Sequence, residues 1–215
     1  MERRFERKLL QPTLALALLF ADAAVWSAPD EPSCSAEEVA RLGELARHDD
    51  ASAQSALGDR YAAGCGVAKD FAAAIDWYRQ AADHGEVHAQ INLGWAYLLG
   101  RGTDKDDTQA FSWFHKAAEQ GDPAAAGLLG SLLAEGHGVQ RDDAQAVVWL
   151  RRSAEAGDPH AQLGLARMYG TGRGVAQDNA KAMEWLRKSA AQGNPQAQHM
   201  LAGFEAKVHS AGEHP

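Results

Sequence analysis

Apolar and polar positions alternate along most of the chain with a helical rhythm. In the stretch 88–121, Ala89, Leu93, Gly94 and Tyr97 fall 4, 1 and 3 residues apart, which places them on one face of a helix. Gly100 ends that helix, since glycine readily takes the left-handed capping geometry, and Gly102 completes a tight turn. Asp106 is placed to cap a second helix by accepting a bond from a free backbone amide. Ala110, Trp113, Ala117 and Ala118 form the buried stripe of this second helix, and Gly121 stops it. The linkers Gly121-Asp122-Pro123, Gly157-Asp158-Pro159 and Gly193-Asn194-Pro195 supply a stop, an N-cap and a first-turn proline in order.

The same pattern returns every 36 residues. Trp77, Trp113, Trp149 and Trp185 hold that spacing, as do Leu57, Leu93, Leu129 and Leu165. So do Asp70, Asp106, Asp142 and Asp178, and the paired turn glycines from Gly64 and Gly66 to Gly172 and Gly174. A fixed period of this size predicts stacked helix-turn-helix units, each unable to bury its apolar face alone. The periodic aspartates read as caps rather than acid–base pairs, and the four tryptophans read as core. Gly58, Gly94 and Gly130 lie inside first helices, at a cost of ~1 kcal/mol each against alanine. That cost is tolerated if a neighbouring Trp or Tyr needs the space.

Within each unit the residues run Ala-x-x-x-Leu-Gly-x-x-Tyr-x-x-Gly-x-Gly-Val, then an Asp, then Ala-x-x-Trp-x-x-x-Ala-Ala-x-x-Gly. This pattern resembles the Sel-one-like repeat (SLR), a relative of the tetratricopeptide repeat. The resemblance covers 51–86, 87–122, 123–158 and 159–194. Departures such as Leu133 for Tyr in the third unit, Ala166 for Gly in the fourth and Thr103 for Val in the second leave the helical pattern intact. The fold it implies is an all-α, right-handed α-solenoid of four full units with capping helices. Ala36 to Arg47 aligns with a second helix one period early, so 29–50 reads as a linker and capping helix. Ala197, Gln198, Leu201 and Ala202 continue a first helix one period later, so 195–207 reads as the C-terminal cap, followed by a disordered tail over 208–215.

The N-terminal residues do not share the pattern. Arg3, Arg4, Arg7 and Lys8 precede the apolar run from Leu14 to Ala21, which is too short for a membrane span of ~20 residues. A basic start, a short apolar run and small residues beyond it predict a signal peptide over 1–28, cut within 23–28. Cys34 is not a lipoprotein acceptor, because Glu31-Pro32-Ser33 lacks the small apolar run such a site needs. The mature protein is then periplasmic or secreted, with no membrane insertion.

The formal net charge of −8 argues against binding nucleic acid through a basic face. Cys34 and Cys65 are too few for a disulfide framework or a cysteine-rich zinc site. In a stacked array, however, the start of the N-terminal capping helix and the first turn lie at the same edge. A disulfide between them is expected in an oxidising compartment, two free thiols being the alternative.

No catalytic constellation emerges. There is no Ser-x-x-Lys, His-Glu-x-x-His or Gly-x-Ser-x-Gly. Gly64-Cys65-Gly66 and Gly172-Arg173-Gly174 lack the Lys-Ser/Thr ending of a phosphate loop. His84 and His88 are separated by the helix break at Gly85, so no metal is expected, and no cofactor.

A partner surface is more legible. In the related tetratricopeptide architecture the first helices line the concave face. Their second stripe in unit two is His88, Ile91, Trp95, Leu98 and Leu99, apolar where unit one has Ser52, Ser55, Asp59, Ala62 and Ala63. Unit three offers Ser131 on this stripe, and unit four His160, Leu163 and Arg167. The expectation is a groove centred on Trp95 with Ile91 and Leu99, flanked by His88, His160 and Arg167. The competing reading is that Trp95 fills space against a neighbouring repeat or a cap. A second candidate is the turn edge, where Arg101, His137 and Arg173 stand between paired glycines. The function expected is that of a monomeric, non-enzymatic scaffold or adaptor for another protein or peptide. The alternative is an envelope hydrolase or β-lactam-binding activity, as the resemblance to cysteine-rich relatives implies; units two to four contain no Cys to match their one-disulfide-per-repeat pattern.

Overall fold

The backbone turns where the glycines and aspartates direct it. The computed structural model describes residues 34–212, with side chains to 204. The expected signal peptide lies outside the described residues, as do the last three positions of the expected tail. Among the described residues there are ten helices and no strand. They are α1 (Ala36–Ala46), α2 (Ala51–Ala63), α3 (Phe71–Asp83), α4 (Val87–Leu99), α5 (Asp107–Glu119), α6 (Pro123–Glu135), α7 (Asp143–Glu155), α8 (Pro159–Thr171), α9 (Asn179–Ala191) and α10 (Pro195–Gly212). Asp70, Asp106, Asp142 and Asp178 each cap the second helix of a repeat by accepting from backbone amides two or three residues on. Gly64, Gly100 and Gly172 close first helices at φ of 75°, 64° and 70°, where a side chain would be strained. The turns are closed alike: the amides of Asp70, Asp106, Asp142 and Asp178 donate to the carbonyls of Tyr61, Tyr97, Leu133 and Tyr169.

Helices adjacent in sequence pack together. In one compact unit, from 34 to Ala125 with His137–Val139, α1 packs on α2, α2 on α3, α3 on α4 and α4 on α5. Its core holds Leu42, Ala46, Ala53 and Leu57 at one end, and Ile75, Tyr78, Ala82, Leu93 and Trp113 further along. In the other unit, Ala126–Gly136 and Gln140 onward, α7 packs on α8, α8 on α9 and α9 on α10. Its core includes Leu163, Ala166, Leu186, Ala190 and Ala197.

The internal glycines make room, but not for tryptophan. A Cβ on Gly58 would lie 2.5 Å from the Tyr78 ring, one on Gly94 2.6 Å from Phe114, and one on Gly130 2.8 Å from Leu150. The occupant is the residue after each Trp. This corrects the expectation of a tryptophan core: Trp113 is buried, whereas Trp77, Trp149 and Trp185 are half-buried. Their rings carry a cation one helical turn on. Lys116 lies over Trp113 at 3.7 Å, Arg152 over Trp149 at 5.6 Å and Lys188 over Trp185 at 4.2 Å. An amphipathic ring packs its body inward and keeps one face for a cation.

The terminal helices carry two further findings. Cys34 and Cys65 form a disulfide with Cα atoms 4.8 Å apart, enclosing a sequence separation of 31. Loop closure of that size stabilises by roughly 3–4 kcal/mol in the chain-entropy model. At the other end α10 runs to Gly212, so 208–212 is helical rather than a disordered tail. Lys207 to Ala211 contains no Gly or Pro to stop the helix earlier.

The glycine spacing makes a paired prediction. Gly94→Ala forces a methyl into the Phe114 ring and is expected to destabilise by about 1–3 kcal/mol. Gly203→Ala, a helical position where a Cβ meets nothing within 4 Å, is expected to stabilise by about 0.5–1 kcal/mol. Urea denaturation of both variants checks the opposite signs.

Candidate interaction surface

The stripe on the first helices is polar where Asp59 and His88 meet. Asp59 on α2 projects between α3 and α4. Its Oδ1 accepts from the Tyr78 hydroxyl at 2.7 Å and from Asn92 Nδ2 at 3.1 Å, and its Oδ2 lies 3.3 Å from His88 Nε2. Burial, and then the Asp59 charge and hydrogen bond, push the Tyr78 phenol far above its ordinary range. The Asp59 hydrogen bond is the main cause raising the His88 pKa above 6.5; desolvation opposes it, and the charges of Asp59, Glu86 and Asp122 assist. Asn92 is 1% exposed, and its Oδ1 has no partner among the described residues. His88 is exposed, and the Asp59 side chain is partly exposed. The cluster therefore joins three helices at its base and presents an imidazole and a carboxylate to solvent.

The apolar part of the expected groove is mostly covered. Trp95 is 7% exposed and meets Phe114 edge-on, with ring centroids 5.6 Å apart. It fills space against the second helix of its own repeat, which corrects its placement as an open hot spot. Leu98 is buried, at the register of the buried Ala62 in α2. Ile91 and Leu99 are half-buried. In the other unit Leu163 is 2% exposed and belongs to the core with Leu186 and Ala166, so it too leaves the surface. Ser131 is half-buried and donates to the Gly127 carbonyl within its own helix, at 3.0 Å. His160 is exposed, its Nδ1 3.3 Å from Asn194 Nδ2. Arg167 donates to Gln196 Oε1 at 3.2 Å, and burial lowers its pKa despite the attraction of Glu135.

The turn edge is a fastening. Arg173 reaches Asp143 at 2.7 Å and the Ala134 carbonyl, and His137 lies 3.5 Å from Asp107. Arg141 and Arg173 hold the Asp143 carboxyl well below the usual carboxylate range, the Arg141 hydrogen bond being the larger cause and burial opposing both. Inside the stack, Gln54, Gln90, Gln162 and Gln198 each donate to a carbonyl eight residues back. Gln120 and Gln192 then donate to Gln90 and Gln162. The sequence pattern alone did not single out Asp59 and Asn92 as site residues, nor the hydrogen-bonding role of these glutamines. The signals were polar side chains at periodic positions inside otherwise apolar helices.

The Sel1 repeat model matches residues 51–86, 87–122, 123–158 and 159–194. The chain belongs to the Sel1 repeat family. Sel1 repeat proteins are generally protein-interaction scaffolds. Among solved structures this Sel1 repeat protein is similar to a protective antigen present in uropathogenic Escherichia coli strains that displays an SLR fold, with 36% identity and a TM-score of 0.74 over 88% of this chain and 39% of that one. It is also similar to a Sel1 repeat protein from Oxalobacter formigenes, with 36% identity and a TM-score of 0.69 over 76% of this chain and 65% of that one. The chain thus spans less than two thirds of the length of either. No curated protein matches it. Among the described residues no helix is long and apolar enough to cross a membrane.

Two titrations follow. A raised His88 pKa adds stability that is fully present below about 6.5 and is lost as pH rises through the folded value. Asp59→Asn is expected to flatten that part of the stability–pH curve, and His88→Gln to abolish it, as read by denaturant midpoints from pH 6 to 9. A depressed Asp143 pKa acts oppositely: its contribution is present above about 3.9 and fades as pH falls through the folded value. Asp143→Asn is expected to cost about 1 kcal/mol at pH 7, with the difference from wild type closing in acid.

Proposed function

We propose that this Sel1 repeat protein is exported and acts, without chemistry of its own, as a scaffold holding a partner protein or peptide on the exposed stripe of its first helices. The observation that carries the reading is the Asp59–His88–Asn92 cluster. A carboxylate and an imidazole are fixed at the surface by Tyr78 and Asn92, with half-buried Ile91 and Leu99 further along α4. Rigidly held polar groups beside small apolar patches bind with little ordering cost. In the other unit, exposed His160 and half-buried Arg167 and Ser131 are the corresponding contacts. Export is supported by the Cys34–Cys65 bridge, because disulfides persist chiefly in oxidising compartments.

The test is affinity capture from envelope extract with wild type and a His88→Ala, Leu99→Asp double variant whose folding is checked by circular dichroism. A partner retained by wild type and lost by the folded variant, then reproduced with purified partner by calorimetry at a loss of roughly tenfold or more, is the expected outcome. Equal capture by both proteins counts against this stripe.

A further inference from the structure

The two bridged cysteines have unequal surroundings. Cys34 is exposed at the start of α1, whereas Cys65 is 7% exposed in the turn after α2. Arg60, in the last turn of α2, is itself 9% exposed and directs Nη1 at Cys65 Sγ from 3.0 Å. Among the described residues that sulfur is the one hydrogen-bond acceptor of the Arg60 side chain. The carboxylate that feels its charge, Glu38, is engaged by Arg41 at 2.7 Å. A guanidinium withdrawn from water ordinarily faces an anion. Here it faces a neutral disulfide sulfur, a weak acceptor, at a place where a thiolate would be a strong one.

We propose that the Cys34–Cys65 bridge is an exchange site for an external dithiol, with Cys34 taking the attack and Cys65 leaving as a thiolate held by Arg60. Access selects Cys34, and a neighbouring cation makes Cys65 the better leaving group, because the thiol of lower pKa departs faster. One thiolate of the dithiol bonds to Cys34 Sγ as the Cys34–Cys65 bond breaks, and the electron pair of that bond stays on Cys65 Sγ. The second thiolate then attacks the mixed disulfide at the dithiol's own sulfur. Cys34 is released as a thiolate that takes a proton from water, and the dithiol is oxidised to its disulfide by the two electrons it has given. The reverse sequence makes the bridge. Once it is open, α1 is held by the burial of Leu42 and Ala46 and by the Gln54 bond to the Ala46 carbonyl. The proposal does not depend on the scaffold reading.

The full chain is treated with limiting glutathione, quenched in acid and mapped by mass spectrometry. The mixed disulfide is expected on Cys34; its appearance on Cys65, or evenly on both, would overturn the proposal. Reduction by dithiothreitol is expected to slow about tenfold in Arg60→Met and to be largely kept in Arg60→Lys; equal rates in wild type and Arg60→Met would overturn it. Because Arg60→Met alters a buried side chain and can prevent folding, a third measurement leaves Arg60 intact. In Cys34→Ser, the thiolate absorbance of Cys65 at 240 nm is expected to appear well below the ~8.5 of a free cysteine. Titration at or above that value would overturn the assignment.

Discussion

The stack depends on backbone passing over backbone at the turns. A Cβ on Gly66 would lie 2.5 Å from the Ser35 carbonyl oxygen, and one on Gly102 2.6 Å from the Phe71 carbonyl carbon. Gly138 and Gly174 meet the Asp107 and Asp143 carbonyls more closely still. In each case the turn of one repeat seats on the first turn of the second helix before it. Only a residue with no side chain, at a φ near 70°, allows that approach. At three of the four turns the residue between the paired glycines is then held against the start of that helix. It is Cys65 against Cys34 at the N-terminal end, His137 against Asp107, and Arg173 against Asp143. The turn thus carries, in different repeats, a covalent bond, a histidine–carboxylate pair and a buttressed ion pair. The disulfide is the strongest form of a contact the repeat makes anyway.

This fastening bears on function by freeing the other edge. When turns and caps hold the repeats in register, the outward stripe of the first helices need not contribute to the core. Asp59 shows that freedom: it takes the position held by Trp95 in the next repeat, and there it builds a polar cluster with His88 and Asn92 instead of packing on a ring. The four repeats of this chain carry Asp59, Trp95, Ser131 and Arg167 at this one position.

Some residues were legible and others were not, for identifiable reasons. Asp70, Asp106, Asp142 and Asp178 were readable as caps because a free helix amide wants an acceptor at one fixed offset. The Cys34–Cys65 pairing was readable because both positions follow from the period. Trp77, Trp149 and Trp185 were read as core and proved half-buried, while Tyr78, Phe114 and Leu150 filled the space beside the glycines. A 36-residue spacing gives the register but not the few degrees of rotation that decide which of two adjacent residues points inward. Trp95, Leu98 and Leu163 failed similarly: each looked exposed by position and is buried, Trp95 against Phe114 and Leu163 with Leu186 of the following helix.

The sequence by itself determined the all-α class, the helix pairs, their caps and the repeat boundaries. All of these rest on local rules: helical periodicity, left-handed glycine, and an aspartate before a free amide. Only the tertiary structure decided that Asp59, Tyr78, His88 and Asn92 meet, that Arg60 faces the disulfide, and that the turn residues fasten rather than bind. Those are contacts between side chains 5 to 33 positions apart, made or missed according to distances of a few tenths of an ångström that no period encodes.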